Sequence, residues 1–358
     1  MSALDKVFTE LNRKELKEKG YTVVRGVFPR EVCDEYQGAY RDWLNGFPEG
    51  TWPQTKHSLI QKYSVGHMST SWDIRLKCYP VFSQLWKTEK LLSSIDAIAV
   101  GRPPEENEEI FWAPGQSWLH VDQPAYRLGL HAYQGAVYLE DCEEEDWTFE
   151  VVEGSHKHFD DLHNRIGQKR CTKLTPEDLE WLTEKGCRLT RVPCPKGGMV
   201  LWDSRLLHAN ARPIEGRRNP GRWRWVVFVC MTPAVWAKKL DLKLKKQAYE
   251  NLQLTCHWPS RGVFIFSSKL EEGMTEDPNP LNTLPEIATR DTAKRLMGLL
   301  PYEGDNNKSV HTLEFDAEKF KDQMTDNDRK LLEENDEDCE LPPPYEPFSH
   351  LVIPTSRA

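Results

Sequence analysis

Apolar positions change their spacing along this chain, and the change divides it into parts. From Asp5 to Lys19, Val7, Phe8, Leu11 and Leu16 recur at helical intervals, and Gly20 supplies a stop. Tyr21 to Phe28 (YTVVRGVF) is β-branched and aromatic, the composition of a strand. Pro29 opens a second helix to about Gly46, with Val32, Tyr36, Tyr40 and Trp43 on one face. From about Ile110 to Phe228 the apolar runs shorten (GAVYLE, TFEVVEG, CRLTRV, GMVLW, WVVFVCM) and turn residues separate them, which predicts a sheet-rich unit. One helix is expected to interrupt it, residues 175–186, capped by Thr175. A further helical segment runs from Val235 to Leu252. The body is read as a single domain over residues 1–304, its segment 235–300 expected to wall a pocket. Residues 305–358 read as an acidic, proline-containing tail in which Pro342–Tyr345 (PPPY) could dock a WW-type partner.

Composition narrows the class. With 39% hydrophobic residues the chain can build a core, and a net charge of −9 argues against broad contact with a nucleic-acid backbone. The nine cysteines include no CxxC pair and suit free thiols in a reducing compartment. The amino terminus lacks an apolar leader, no run approaches a membrane span, and the chain ends TSRA without a peroxisomal tripeptide. A cytoplasmic or nuclear protein is the expectation.

The chemistry concentrates in SWLHVDQPAY, residues 117–126. In an extended segment, residues i and i+2 face one side, so Gln116, Trp118, His120 and Asp122 would form one polar-aromatic row. Two imidazoles and one carboxylate on adjacent coordination positions make a facial iron site, and KGGMVLWDSRLLHAN offers His208 as the second imidazole. Beyond it, RWRWVVFVCMTP puts Arg222 and Arg224 at the mouth of an apolar strand, where a buried guanidinium calls for a carboxylate partner. Tyr126 and Arg127 are candidates for the substrate entrance. His156, the acidic run Glu140–Asp146 and the loop arginines Arg217 and Arg218 read as non-ligating turn or solvated loop residues.

In order along the chain, LKEKGYTVVRGVFPREVCDEY, SWLHVDQ, EDWTFEVVEGSHK, GGMVLWDSRLLHAN and RWVVFVCMTP resemble the phytanoyl-CoA dioxygenase family, over roughly residues 10–233. The resemblance implies a mainly β fold with flanking helices, a double-stranded β-helix (jelly-roll, cupin-like) core. It implies a non-haem iron(II)- and 2-oxoglutarate-dependent dioxygenase using O2, with ascorbate as an accessory reductant. His120, Asp122 and His208 would be the iron ligands. Arg224, with Arg222 as the alternative, would bind the distal carboxylate of 2-oxoglutarate, helped by Tyr138, Asn210 and Gln116. Trp118, Tyr126 and Arg127 would face a small-molecule substrate. The carboxylate at Asp122 favours hydroxylation, desaturation or oxidative cyclisation over halogenation. A nucleobase-modifying (methylcytosine-type) oxygenase and a catalytically silent jelly-roll binding module are the alternative readings.

Overall fold

The computed structural model describes residues 7–53, 58–106, 118–166, 174–303 and 313–315. Gln116 and the PPPY motif lie outside these residues. In chain order the helices are α1 (Glu10–Lys19), α2 (Arg30–Asn45), α3 (Ser69–Trp86), α4 (Phe159–Ile166), α5 (Pro176–Glu184), α6 (Lys239–Glu250) and α7 (Asp291–Leu296). The strands are β1 (Tyr21–Val24), β2 (Leu59–Ile60), β3 (Leu91–Ser93), β4 (Ile98–Gly101), β5 (Arg127–Leu128), β6 (Tyr133–Tyr138), β7 (Thr148–Glu153), β8 (Arg188–Val192), β9 (Met199–Asp203), β10 (His208–Ala211), β11 (Arg224–Pro233) and β12 (Glu314–Phe315).

Two antiparallel sheets carry the site. The larger runs β1-β9-β6-β11-β4-β2, with β3 also on β11, and the smaller runs β10-β7-β8. Alternation along the strands sorts their side chains into layers. Ala136 and Tyr138 of β6, Val200 and Trp202 of β9 and Val226 of β11 meet Phe149 and Val151 of β7 between the sheets. The intervening residues Val137, Met199, Leu201, Trp225 and Val227 join the core beneath the helices, with Tyr40 of α2 and Trp72 of α3. On the far side of the smaller sheet, Val152 and Ala209 pack with Phe159, Leu162 and Leu182 of α4 and α5. This is the jelly-roll sandwich with flanking helices that the sequence predicts.

Local signals set most boundaries. Thr9 and Asn12 form a capping box that starts α1 later than its apolar spacing suggested. Gly20 ends it in the left-handed region at φ 89°. Strand β1 stops at Val24, short of the expected Phe28, because Gly26 turns the chain at φ 68° and Pro29 opens α2. Helix α5 has the expected Thr175 cap, closed by Asp178. It is not the only helix in the sheet-rich region, since after Gly154 a short 3-10 turn, Ser155–His158, leads into α4. Helix α3 has no counterpart among the expected elements. No helix among the described residues is long and apolar enough to cross a membrane.

Candidate metal and co-substrate site

His208 opens β10 and faces the space between the sheets, its ring 5.4 Å from those of Phe149 and Trp202. His120 reaches the same point by a different route from the one its sequence suggests. Its segment is not a strand: the backbone makes one isolated bridge, His120 to His208, with a 3.0 Å hydrogen bond in each direction. That bridge suffices to keep His120 and Asp122 on one side. His120 Nε2 lies 3.6 Å from Asp122 Oδ1, and His208 Nε2 lies 3.2 Å from Asp122 Oδ2. One ligand atom from each of the three falls within 4.8 Å of the others. Metal bonds of about 2.1 Å at right angles would set neighbouring ligand atoms about 3 Å apart, so the spacing suits three adjacent positions of one ion.

The tautomers are arranged as well. His120 Nδ1 is 2.9 Å from the Trp118 carbonyl and His208 Nδ1 is 2.9 Å from the Leu206 carbonyl. Donation from each Nδ1–H turns Nε2 toward the centre, the nitrogen that a metal would take up in place of a proton. Gln134 of β6 donates to Asp122 Oδ2 at 2.9 Å and orients the carboxylate. Gln123 fastens the following loop: it donates to the carbonyls of Arg127 and Gly129 and accepts from Ser204 Oγ at 2.7 Å. Burial by itself would raise the Asp122 carboxyl, but the charge of His257 and His208 and hydrogen bonds from His120 and His208 hold it well below the usual range. For His120, burial works against the charge, and the hydrogen bond and charge of Asp122 reverse that and raise it.

A second polar group lies further along the same face. Asn210 follows His208 by two residues, and at 3.3 Å per residue this places it ~6.6 Å away along β10. Arg224, 3% exposed, donates from Nη2 to Asn210 Oδ1 at 2.9 Å and from Nη1 to Ser58 Oγ at 2.7 Å. Its carbon Cζ stands 5.9 Å from the centre of the Tyr138 ring. Arg222 is committed elsewhere: its Nη1 lies 2.8 Å from Asp146 Oδ2. Arg217 is also not the solvated loop charge its surroundings suggested. It is buried, and it pairs with Glu105 and with the buried Asp146 at 2.9 Å. The acidic run is therefore not wholly solvated either.

The chain matches phytanoyl-CoA dioxygenase (PhyH) over residues 16–213, more than half its length. It belongs to that family. The family comprises non-haem iron oxygenases that depend on 2-oxoglutarate, and this chain is an enzyme of that class. Among individual proteins it is similar to Ava biosynthesis cluster protein O of Aspergillus versicolor, 24% identical over 285 residues that cover 73% of this chain and 89% of that protein. Solved structures similar to it include the carbocyclase SnoK from nogalamycin biosynthesis, 15% identical, covering 64% of this chain and 86% of that one with a TM-score of 0.47. Another is EctD from S. alaskensis with bound Fe, 14% identical, covering 65% and 80% with a TM-score of 0.44.

The residues present fit the family's iron and 2-oxoglutarate on two observations. The donor set is two imidazole nitrogens and one carboxylate oxygen that converge on one point. Two buried polar atoms nearby, Arg224 Nε and the Tyr138 hydroxyl, lack a hydrogen-bond partner among the described residues. An entering carboxylate would supply one. Of the other expected residues, Trp118 lies tilted against His120 at 4.6 Å between centroids, and Tyr126 and Arg127 are buried a few residues past Asp122, Arg127 opening β5. His156 makes a structural contact, its Nε2 3.2 Å from the Lys17 carbonyl.

Sequence reasoning missed Gln134, Ser58 and His257. Gln134 left a signal: it is a polar residue on the inward parity of a buried strand, in line with Ala136 and Tyr138. Ser58 left none, since it sits at φ 66° in a loop and is distant in sequence from everything it touches.

Proposed function

We propose that the protein oxidises a C–H bond of a small organic substrate by hydroxylation, desaturation or oxidative cyclisation, with conversion of 2-oxoglutarate and O2 to succinate and CO2. The convergence of His120, Asp122 and His208 with tautomers fixed for ligation is the observation that carries this reading. In it those three side chains hold iron(II), and Arg224, assisted by Asn210 and Tyr138, holds the distal carboxylate of 2-oxoglutarate. When bound, the metal and co-substrate supply the oxidising power. The protein supplies placement. Gln134 keeps the Asp122 carboxylate turned to the metal, and the backbone carbonyls of Trp118 and Leu206 keep both imidazoles in one tautomer.

Arg224 is favoured over Arg222 because its position leaves cationic capacity unspent. A guanidinium has five N–H donors. Two of those on Arg224 go to neutral oxygens and none to a carboxylate, whereas Arg222 is already neutralised by Asp146. Phe149 and Trp202 pack near the His208 ring and Trp118 near the His120 ring, which lends both imidazoles an aromatic lining.

The test is anaerobic. Iron(II) and 2-oxoglutarate added together should give the weak visible charge-transfer band of the chelate, and air should then release succinate slowly without substrate. His120→Ala should lose both while keeping its unfolding transition. Wild-type protein with neither signal would overturn the assignment.

A further inference from the structure

Beyond Asp122, the same loop delivers a cation that neither the metal nor the 2-oxoglutarate assignment uses. Arg127 N donates to the Pro124 carbonyl at 3.0 Å, and Gln123 Nε2 donates to the Arg127 carbonyl at 2.7 Å. The root of the side chain is thus fixed relative to Asp122. Arg127 is 4% exposed, and its guanidinium carbon stands 4.3 Å from the centre of the Trp258 ring. It also packs against Gly262, where an added Cβ would lie 1.8 Å from Nη2. Nε and Nη1 have no hydrogen-bond partner, and no carboxylate among the described residues forms an ion pair with it. Contrast Arg217, equally buried but held by both Glu105 and Asp146. A buried cation without an anion costs several kcal/mol, and a chain keeps one only where something repays it.

His257 provides the second polar group. It belongs to the segment after the jelly roll, which an isolated bridge from Thr255 to Ile265 and a 2.8 Å bond from Thr255 N to the Ile95 carbonyl hold against the end of the larger sheet. Its ring packs edge-on against Trp258 at 4.8 Å, and its Nε2 is buried without a partner. Trp258 therefore fixes both Arg127 and His257. His257 and Arg127 thus lie against one aromatic ring, and Gln123, next to Asp122 in the chain, ties the Arg127 backbone to the metal-ligand segment.

We infer that Arg127 and His257 form the substrate-facing wall of the site, and that the substrate is a small molecule carrying a carboxylate, which Arg127 pairs with and His257 orients through a hydrogen bond. This rests on the iron and 2-oxoglutarate reading above and adds the substrate's chemical class to it. The carboxylate at Arg127 is distinct from that of 2-oxoglutarate, because Arg224 is anchored by other elements, at Ser58 and Asn210.

The experiment titrates anaerobic protein, loaded with iron(II) and saturating 2-oxoglutarate, with benzoate, phenylacetate and indole-3-carboxylate, each beside its primary amide. Calorimetry and the change in the charge-transfer band report binding. The acids should bind at least tenfold more tightly than their amides. Arg127→Gln should erase that preference with the charge-transfer band itself retained, and Arg127→Lys, which keeps a cation on Trp258, should restore part of it. His257→Phe should weaken the acids severalfold with no loss of the band. Equal binding of acids and amides, or an acid preference that survives Arg127→Gln, would overturn the inference. Should the band never form, the iron reading fails, and the acid–amide comparison by calorimetry on metal-free protein still decides whether Arg127 is a carboxylate site.

Discussion

Replacing Arg224 by glutamine tests the co-substrate assignment most directly. The structure gives the guanidinium two neutral hydrogen-bond partners, Ser58 Oγ and Asn210 Oδ1, and burial to 3% exposure. The glutamine amide can still serve Asn210, so the fold should survive with a modest drop in melting temperature. What it cannot supply is charge. Removing one member of a buried ion pair costs about 3–5 kcal/mol, and each 1.4 kcal/mol is about tenfold in affinity, so the Kd for 2-oxoglutarate should rise by a factor of about 100 or more. Arg222→Gln is the control, because Asp146 at 2.8 Å already neutralises that arginine. Its Kd should stay within about threefold of wild type, the size expected for loss of a distant charge. Both values can be read by titrating 2-oxoglutarate into iron-loaded protein under argon and following the charge-transfer band, with iron content measured by dialysis. If Arg224→Gln keeps wild-type affinity, or Arg222→Gln loses it, the reasoning from unspent donors is wrong.

Other substitutions separate the remaining parts. Gln134→Leu removes the 2.9 Å hydrogen bond that orients Asp122 and should weaken iron(II) binding by about 10–100-fold, measured by competition with a chromogenic chelator. Unchanged affinity would show that the carboxylate needs no such support. Arg217→Met leaves Glu105 and Asp146 without their shared buried cation. Because Arg222 still covers Asp146, the loss should sit near the lower end of the range for broken buried pairs, about 3 kcal/mol in urea unfolding. A change under about 1 kcal/mol would mean the loop is solvated after all. Burial lowers His67 from 6.5 to about 4, so the unfolded chain takes up a proton between those values that the folded chain refuses. Stability should therefore fall as pH drops from 6.5 to 4, by at most roughly 3 kcal/mol from this group, and level off below. His67→Gln should flatten the slope, and an unchanged slope would show that His67 is not its source.

Strand parity is the reason so much of this site could be read in the sequence. In β10 and β11 one face is buried between the sheets, so two-residue periodicity fixes which side chains point inward. His208, Asn210 and Arg224 fall on that side as residues of strands with well-marked apolar neighbours. The same rule puts His120 and Asp122 on one side, and their ligand atoms do lie together although their segment holds only one bridge, because a single antiparallel pairing with His208 is enough to set the phase. Parity has no purchase elsewhere. Helix α3 is buried on several sides and carries Pro80 in its interior, so neither an amphipathic stripe nor an uninterrupted run announces it. Arg217 has a loop's composition around it, and only the tertiary approach of Glu105 to Asp146 turns that loop into a buried ion cluster. His257 is the sharpest case. It lies beyond the matched family region, in a segment of little regular structure that is held in place where Thr255 bonds to the backbone at Ile95. His208 thus comes from a periodic strand and His120 and Asp122 from a segment bridged to it, whereas the wall proposed to face the substrate comes from chain whose placement is decided by contacts far apart in sequence. Sequence alone can accordingly give the iron chemistry and withhold the molecule it acts on.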